Sequence, residues 1–168
     1  MRKRLVCAAL ALFAVVAAVL TVPCVPCVSV SNRKNPAERV LSRAALGGFV
    51  ISYTHSVNKG RVHDFYGIDG GMLVLEKTAF VSYGAGIPEA SETDGARFAV
   101  TDDGYVITNL NRRLERLVMA VGVIAEHTMT VGDREVLLRT LFAPQTSLLF
   151  EVKKVPLSAY LLANHISI

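Results

Sequence analysis

"FVISYTHSVNKG", residues 49–60, carries the reading on which the fold turns. At a period of two, Phe49, Ile51, Tyr53, His55 and Val57 share one face, and Val50, Ser52, Thr54 and Ser56 share the other. The pattern predicts a half-buried β-strand, closed by "NKG" (58–60) as a turn. His55 is the anomaly, because the alternation points it with the apolar set.

The same grammar extends in both directions. "ERVLS" (38–42) reads as a strand before this one, and residues 61–68 as the strand after it, ending at the hairpin signal "DGG" (69–71). "MLVLEKTAFVSY" (72–83) follows as a long strand, then the glycine-rich and acidic loop "GAGIPEASETDG" (84–95). Residues 97–101 and 105–108 flank "DDG", a further hairpin. "LERLVMAVGV" (114–123) and "HTMTVGDREVLL" (127–138) continue the strands, "RTLFAPQT" (139–146) reads as a short helical turn and loop, and "SLLFEVKKV" (147–155) as a last strand. Many short strands separated by turn signals predict an all-β domain, a small antiparallel sandwich or barrel. No strand–helix alternation supports a nucleotide-binding sheet, and "GAG" (84–86) lacks the lysine and the helix of a phosphate loop.

The N-terminus is of another kind. "MRKR" (1–4) precedes "LVCAALALFAVVAAVLTV" (5–22), an uncharged apolar run. Its 18 residues would span about 27 Å as a helix, close to the thickness of a bilayer core. A transmembrane anchor and a cleaved signal segment compete. Ser29 and Ser31 have the size that cleavage needs but lie far beyond the apolar run, and Pro23 and Pro26 precede Cys24 and Cys27, against a lipoprotein signal. The anchor is the preferred reading. The division expected is therefore an anchor or signal segment over 1–30, a polar linker over 31–36, a β-rich extracytoplasmic domain over 37–155 and an apolar tail over 156–168. The basic start places the body outside the cytoplasmic (inner) membrane, on the periplasmic side, with a single pass.

The net charge of +4 is concentrated in that start. Without Arg2, Lys3 and Arg4, 15 basic residues face 14 acidic ones, and no basic stripe suggests nucleic acid as a partner. Cys7, Cys24 and Cys27 all lie in or beside the apolar run; "CVPC" has redox spacing without a thioredoxin-like unit after it.

Two further strands repeat the anomaly of His55. Met72, Val74, Glu76, Thr78 and Phe80 share a face, and His127 falls among Val121, Val123, Ala125, Met129 and Val131. A buried charge needs a partner and a buried polar group a hydrogen bond, so mutual satisfaction of His55, Glu76 and His127 inside the sandwich is expected. A structural network with neutral histidines bonded to backbone is the leading reading; a ligand pocket, or two histidines and a carboxylate on zinc, are the alternatives. No local metal-binding spacing is present, so no metal and no cofactor is expected. His63, close to Arg61, reads as part of a solvated face. A triad of Ser56, His127 and Asp64 lacks a nucleophile-elbow sequence, and no enzyme activity is expected. "SYGAGIP" (82–88) places Ser82, Gly84 and Gly86 where backbone amides either cradle an anion or simply turn a corner. The candidate ligand-binding set is thus His55, Glu76, His127, Ser82, Gly84 and Gly86.

"YTHSV" (53–57) with Lys59, "LVLEKTAFVSYGAGIP" (73–88), "HTMTVGDREVLL" (127–138) and "PQTSLLFEV" (144–152) resemble a bacterial family of unknown function, often encoded beside TAXI-type TRAP transporter permeases or their binding proteins. The resemblance covers residues 38–152. It departs at Asn58, where the family often has an acidic residue, and at Gly60 and Arg61, where it often has Thr-Pro. It implies a small extracytoplasmic partner of a solute-uptake system, and it supplies no catalytic or binding residues. The expectation is a non-enzymatic, membrane-tethered accessory protein working beside a TRAP-type permease or its solute-binding protein; the alternative is a ligand- or metal-binding β-module.

Overall fold

The computed structural model describes residues 2–82, 87–88, 91 and 93–166. Helix α1 (Arg2–Thr21) leads into strands β1 (Pro23–Asn32), β2 (Arg39–Ser42), β3 (Phe49–Thr54), β4 (Arg61–Asp69), β5 (Met72–Phe80), β6 (Arg97–Thr101) and β7 (Gly104–Thr108). β8 (Arg112–Leu114), β9 (Leu117–Ala120), β10 (Thr128–Val131), β11 (Arg134–Leu137), β12 (Ser147–Pro156), α2 (Leu157–Leu162) and β13 (Asn164–His165) follow. The fold is mostly β, two sheets packed as a sandwich. The first has the order β13-β2-β1-β12-β9; the second runs β11-β10-β3-β4-β5-β7-β6, with β8 also paired to β5. The pairing is antiparallel except between β13 and β2.

The core lies between the sheets. Val28, Val30, Val40, Leu148 and Phe150 come from the first, and Phe49, Ile51, Val62, Tyr66, Leu73, Leu75, Phe80, Ile107 and Met129 from the second. A ring stack crosses the gap: Phe150 lies 6.2 Å from Phe49, which lies 5.2 Å from Tyr66. Offset aromatic pairs at such spacing combine a large apolar area with favourable quadrupole geometry.

The sandwich begins earlier in the chain than the alternation suggests. Residues 23–32, read from sequence as the end of the anchor and the start of a linker, form β1, the central strand of the first sheet. Val28 and Val30 enter the core, while Val25 and Cys27 pack on the other face beneath Leu157, Tyr160 and Ala163. Two prolines disguised the strand. Pro23 is its first residue, and β2 pairs β1 only from Val28 onward, so Pro26 sits where one edge is free of β2. The tail is likewise structured, as α2 and β13. Helix α1 is long and apolar enough to cross a membrane and has no buried residue; it is a candidate anchor or signal sequence.

Strand β5 explains the misplacement of Glu76. Phe65 pairs with Lys77 but Tyr66 pairs with Leu75, so Glu76 is the extra residue of a β-bulge. The bulge shifts the phase: Leu73 and Leu75 face the core before it, Thr78 and Phe80 after it. Glu76 is exposed, contrary to an unbroken period of two. Between β4 and β5 the hairpin forms as expected. Asp69 pairs with Met72, and Gly70 and Gly71 (φ 58° and 79°) supply the two left-handed residues of a type I′ turn.

Candidate functional site

One end of the second sheet gathers three loops. β3 ends at Thr54, whose N–H donates to Ala125 O at 2.7 Å. His55 then opens the turn to Gly60: its N–H donates to Gly60 O, and its Nδ1 accepts from Val57 N–H (3.3 Å) and Asn58 N–H (3.5 Å). Asn58 Oδ1 accepts from Gly60 N–H, and Asn58 Nδ2 donates to Ser82 O at 2.7 Å, tying the turn to the end of β5. Lys59 adopts a left-handed conformation (φ 59°) in the middle of it. His55 is buried, as the alternation requires, and its ring caps a turn.

His127 occupies the neighbouring loop. Its Nδ1 accepts from Gly122 N–H at 3.0 Å, and its ring stacks on Tyr53 with centroids 5.5 Å apart. Burial lowers its pKa, and the Arg61 cation lowers it further, so the ring is neutral at pH 7. Both histidines accept at Nδ1 from backbone N–H groups, which gives them the geometry of loop supports.

Glu76 is not with them. Its carboxylate lies over Gly67, where a Cβ would collide with it. Ser82 takes part in the loop cluster through its carbonyl; Gly84 and Gly86 lie outside the described residues. Among the described residues no group of three His, Cys, Asp or Glu side chains could hold a metal ion. Nor does a hydrogen bond join the imagined triad: Asp64 Oδ1 accepts from Thr78 Oγ1 at 2.7 Å, His127 accepts from Gly122, and Ser56 is exposed.

Two polar groupings escaped the reading of the sequence. Asp64 stands on the core-facing side of β4, between Val62 and Tyr66. Burial raises its pKa, and the Thr78 hydroxyl opposes the rise. Burial, helped by the Asp64 charge, pushes Tyr53 up to about 12. The signal was present in the alternation Val62, Asp64, Tyr66, Ile68.

On the outward face, Ser52 Oγ and His63 Nδ1 are 2.8 Å apart across the β3–β4 pair. Arg61 donates to Thr54 Oγ1 (3.5 Å), Glu126 O (3.0 Å) and Thr128 Oγ1 (3.2 Å), and Thr128 Oγ1 donates to Glu135 Oε1 (2.6 Å). His63 is half-buried, and its pKa is lowered by burial and by Arg61 against a smaller rise from Glu135. Arg61 and His63 line a depression of about 520 Å³ with Val81, Thr101, Asp103 and Val106. Which outward residues meet across three strands depends on register, and a strand read singly does not carry register.

The loop cluster also presents apolar side chains to solvent. Val57 is 78% exposed and Ile124 77%, with Val123 and Val81 beside them in sequence or through the same loops. Hydrogen bonds between the loops hold these side chains on a fixed scaffold, an arrangement suited to contact with another surface.

The model of a family described as a domain of unknown function, DUF1850, matches residues 49–138, and the chain belongs to that family. The matched span runs from the start of β3 through β11, so it contains the loop cluster and the bulge. Comparison with curated proteins and with solved structures gave no match.

Proposed function

We propose that this DUF1850 member is a non-enzymatic, membrane-tethered accessory protein of a TRAP-type (TAXI) solute-uptake transporter. In this reading α1 crosses the cytoplasmic membrane once, with Arg2, Lys3 and Arg4 on the cytoplasmic side and the sandwich on the periplasmic side. The observation that carries the proposal is the direct succession of α1 and β1, with Val22 alone between them. A sandwich joined to its helix by one residue stays at the membrane surface, where a permease or its solute-binding protein meets it at high local concentration. The same succession favours a retained helix, because cleavage after Ser31 would remove the central strand of the first sheet. The loop cluster, with Val57 and Ile124 outermost, is the surface assigned to the partner.

Photocrosslinking in intact cells from positions 57 and 124 tests the proposal, with mass spectrometry of the captured product. Capture of the permease or the solute-binding protein supports it. Capture of neither, while the chain is found in the membrane fraction, refutes it. The depression beside Arg61 and His63 favours a second reading, a small-ligand module; a solute-dependent rise in melting temperature, lost in Arg61→Ala, would select it.

A further inference from the structure

Helix α2 is short, uncharged and only half covered. Leu157 and Tyr160, with Ala163 just beyond, pack on Val25, Cys27, Leu41 and Val155 of the first sheet. Its other side leaves Leu161 65% and Leu162 88% exposed, adjacent leucines with no charge anywhere in "LSAYLL". A soluble surface rarely leaves a leucine so bare beside another.

The position of α2 says what covers them. Ser158 Oγ donates to Leu20 O at 2.5 Å, in the last turn of α1, and the two helices pack against each other there. Leu161 and Leu162 follow Ser158 by about one helical turn, roughly 5 Å along the axis. At the α1 side of this contact, Leu20 and Val22 are exposed as well. Lys154, exposed near the end of β12 and three residues before α2, adds a cation close in sequence to the patch, as suits phosphate headgroups.

We propose that α2 is a second membrane contact: Leu161 and Leu162 enter the headgroup–acyl boundary of the leaflet from which α1 emerges. The inference rests on α1 being embedded in the bilayer. A second contact on another element restrains the tilt of the sandwich on the membrane beyond what the α1 junction and its packing on α2 supply. The occupant is phospholipid, because the patch is continuous with the end of a helix that lipid already surrounds.

The chain has no tryptophan, so single-tryptophan variants report each position without background. Leu162→Trp, Phe13→Trp and Val100→Trp are made in the full chain and reconstituted in vesicles of phosphatidylcholine and phosphatidylglycerol, with and without brominated acyl chains. The expected result is blue-shifted emission and loss of emission to bromine for Leu162→Trp and Phe13→Trp, and water-like, unquenched emission for Val100→Trp on the outer strand β6. Quenching of Phe13→Trp without quenching of Leu162→Trp overturns the inference and leaves the anchor standing. An unquenched Phe13→Trp overturns both. A blue shift of Leu162→Trp that depends on protein concentration and ignores bromine assigns the leucines to a second copy of the chain, which also overturns the lipid contact.

Discussion

The two sheets bury their strands by different means. In the first, β1 is covered on both sides: Val28 and Val30 by the sandwich core, Val25 and Cys27 by α2. In the second, the outward side of β3 and β4 carries polar groups: Ser52, itself buried, meets His63, and Arg61 beside them donates to Thr128. Even its inner face admits a carboxylate, Asp64, held by the Thr78 hydroxyl. Apolar residues fill a strand closed in from both sides because an unpaired polar atom there has nowhere to turn. β1 nonetheless buries two serines, Ser29 and Ser31, and among the described residues the Ser29 hydroxyl has no hydrogen-bond partner. The first sheet thus packs against α2 next to the N-terminal helix, and the second gathers the hydrogen-bonded polar side chains.

If that contrast is correct, damage to the first sheet is the most costly. Phe150→Ala removes the β12 ring from the stack with Phe49 and Tyr66, and is expected to lower stability by about 3–5 kcal/mol in chemical denaturation. A loss under about 1 kcal/mol would mean that the inter-sheet stack does not hold the layers together. His55→Ala, at the loop end of the second sheet, leaves the N–H groups of Val57 and Asn58 without their acceptor and is expected to cost about 1–3 kcal/mol. Unchanged melting in that variant would remove the histidine from its capping role.

Asp64→Asn sharpens the comparison with an effect of opposite sign. The folded pKa of Asp64 is raised above its ordinary 3.8, so the charged form costs stability. Folding is favoured by this group below pH 3.8, and that advantage is lost as pH rises through the folded value. The asparagine variant should therefore melt higher than the parent at pH 7, and the gap should close as pH falls into the carboxyl range. A lower melting temperature at pH 7 would show that the Thr78 hydrogen bond outweighs burial. The smallest effect is expected at Glu76. Exposed on its bulge, it should tolerate alanine within about 0.5 kcal/mol, and a larger loss would give the carboxylate a structural partner that its exposure does not suggest.

Strand β3 was legible because its signal is local. Phe49, Ile51 and Tyr53 alternate with Val50, Ser52 and Thr54, and "DGG" forces its own turn. The hydrogen bonding of His55 to nearby backbone was legible for the same reason, since its partners lie two and three residues away. The expectation of one inward cluster failed at Glu76, where a single inserted residue reverses every side chain beyond it. Strand β1 was missed because the helix before it and the prolines within it dominate a short window, while most of the partners that make it a strand lie more than a hundred residues on, in β12, and β2 pairs only its last part.

Periodicity and turn chemistry alone determined that the chain is an apolar N-terminal helix followed by a β-rich body, because both act over a few residues. Tertiary structure decided where the body begins, which way Glu76 points, that Asp64 meets Thr78, and that Arg61, His63 and Glu135 share one surface. Each of these depends on register and on covering layers, set by hydrogen bonds and burial between segments far apart in the chain. No stretch of sequence taken by itself contains them.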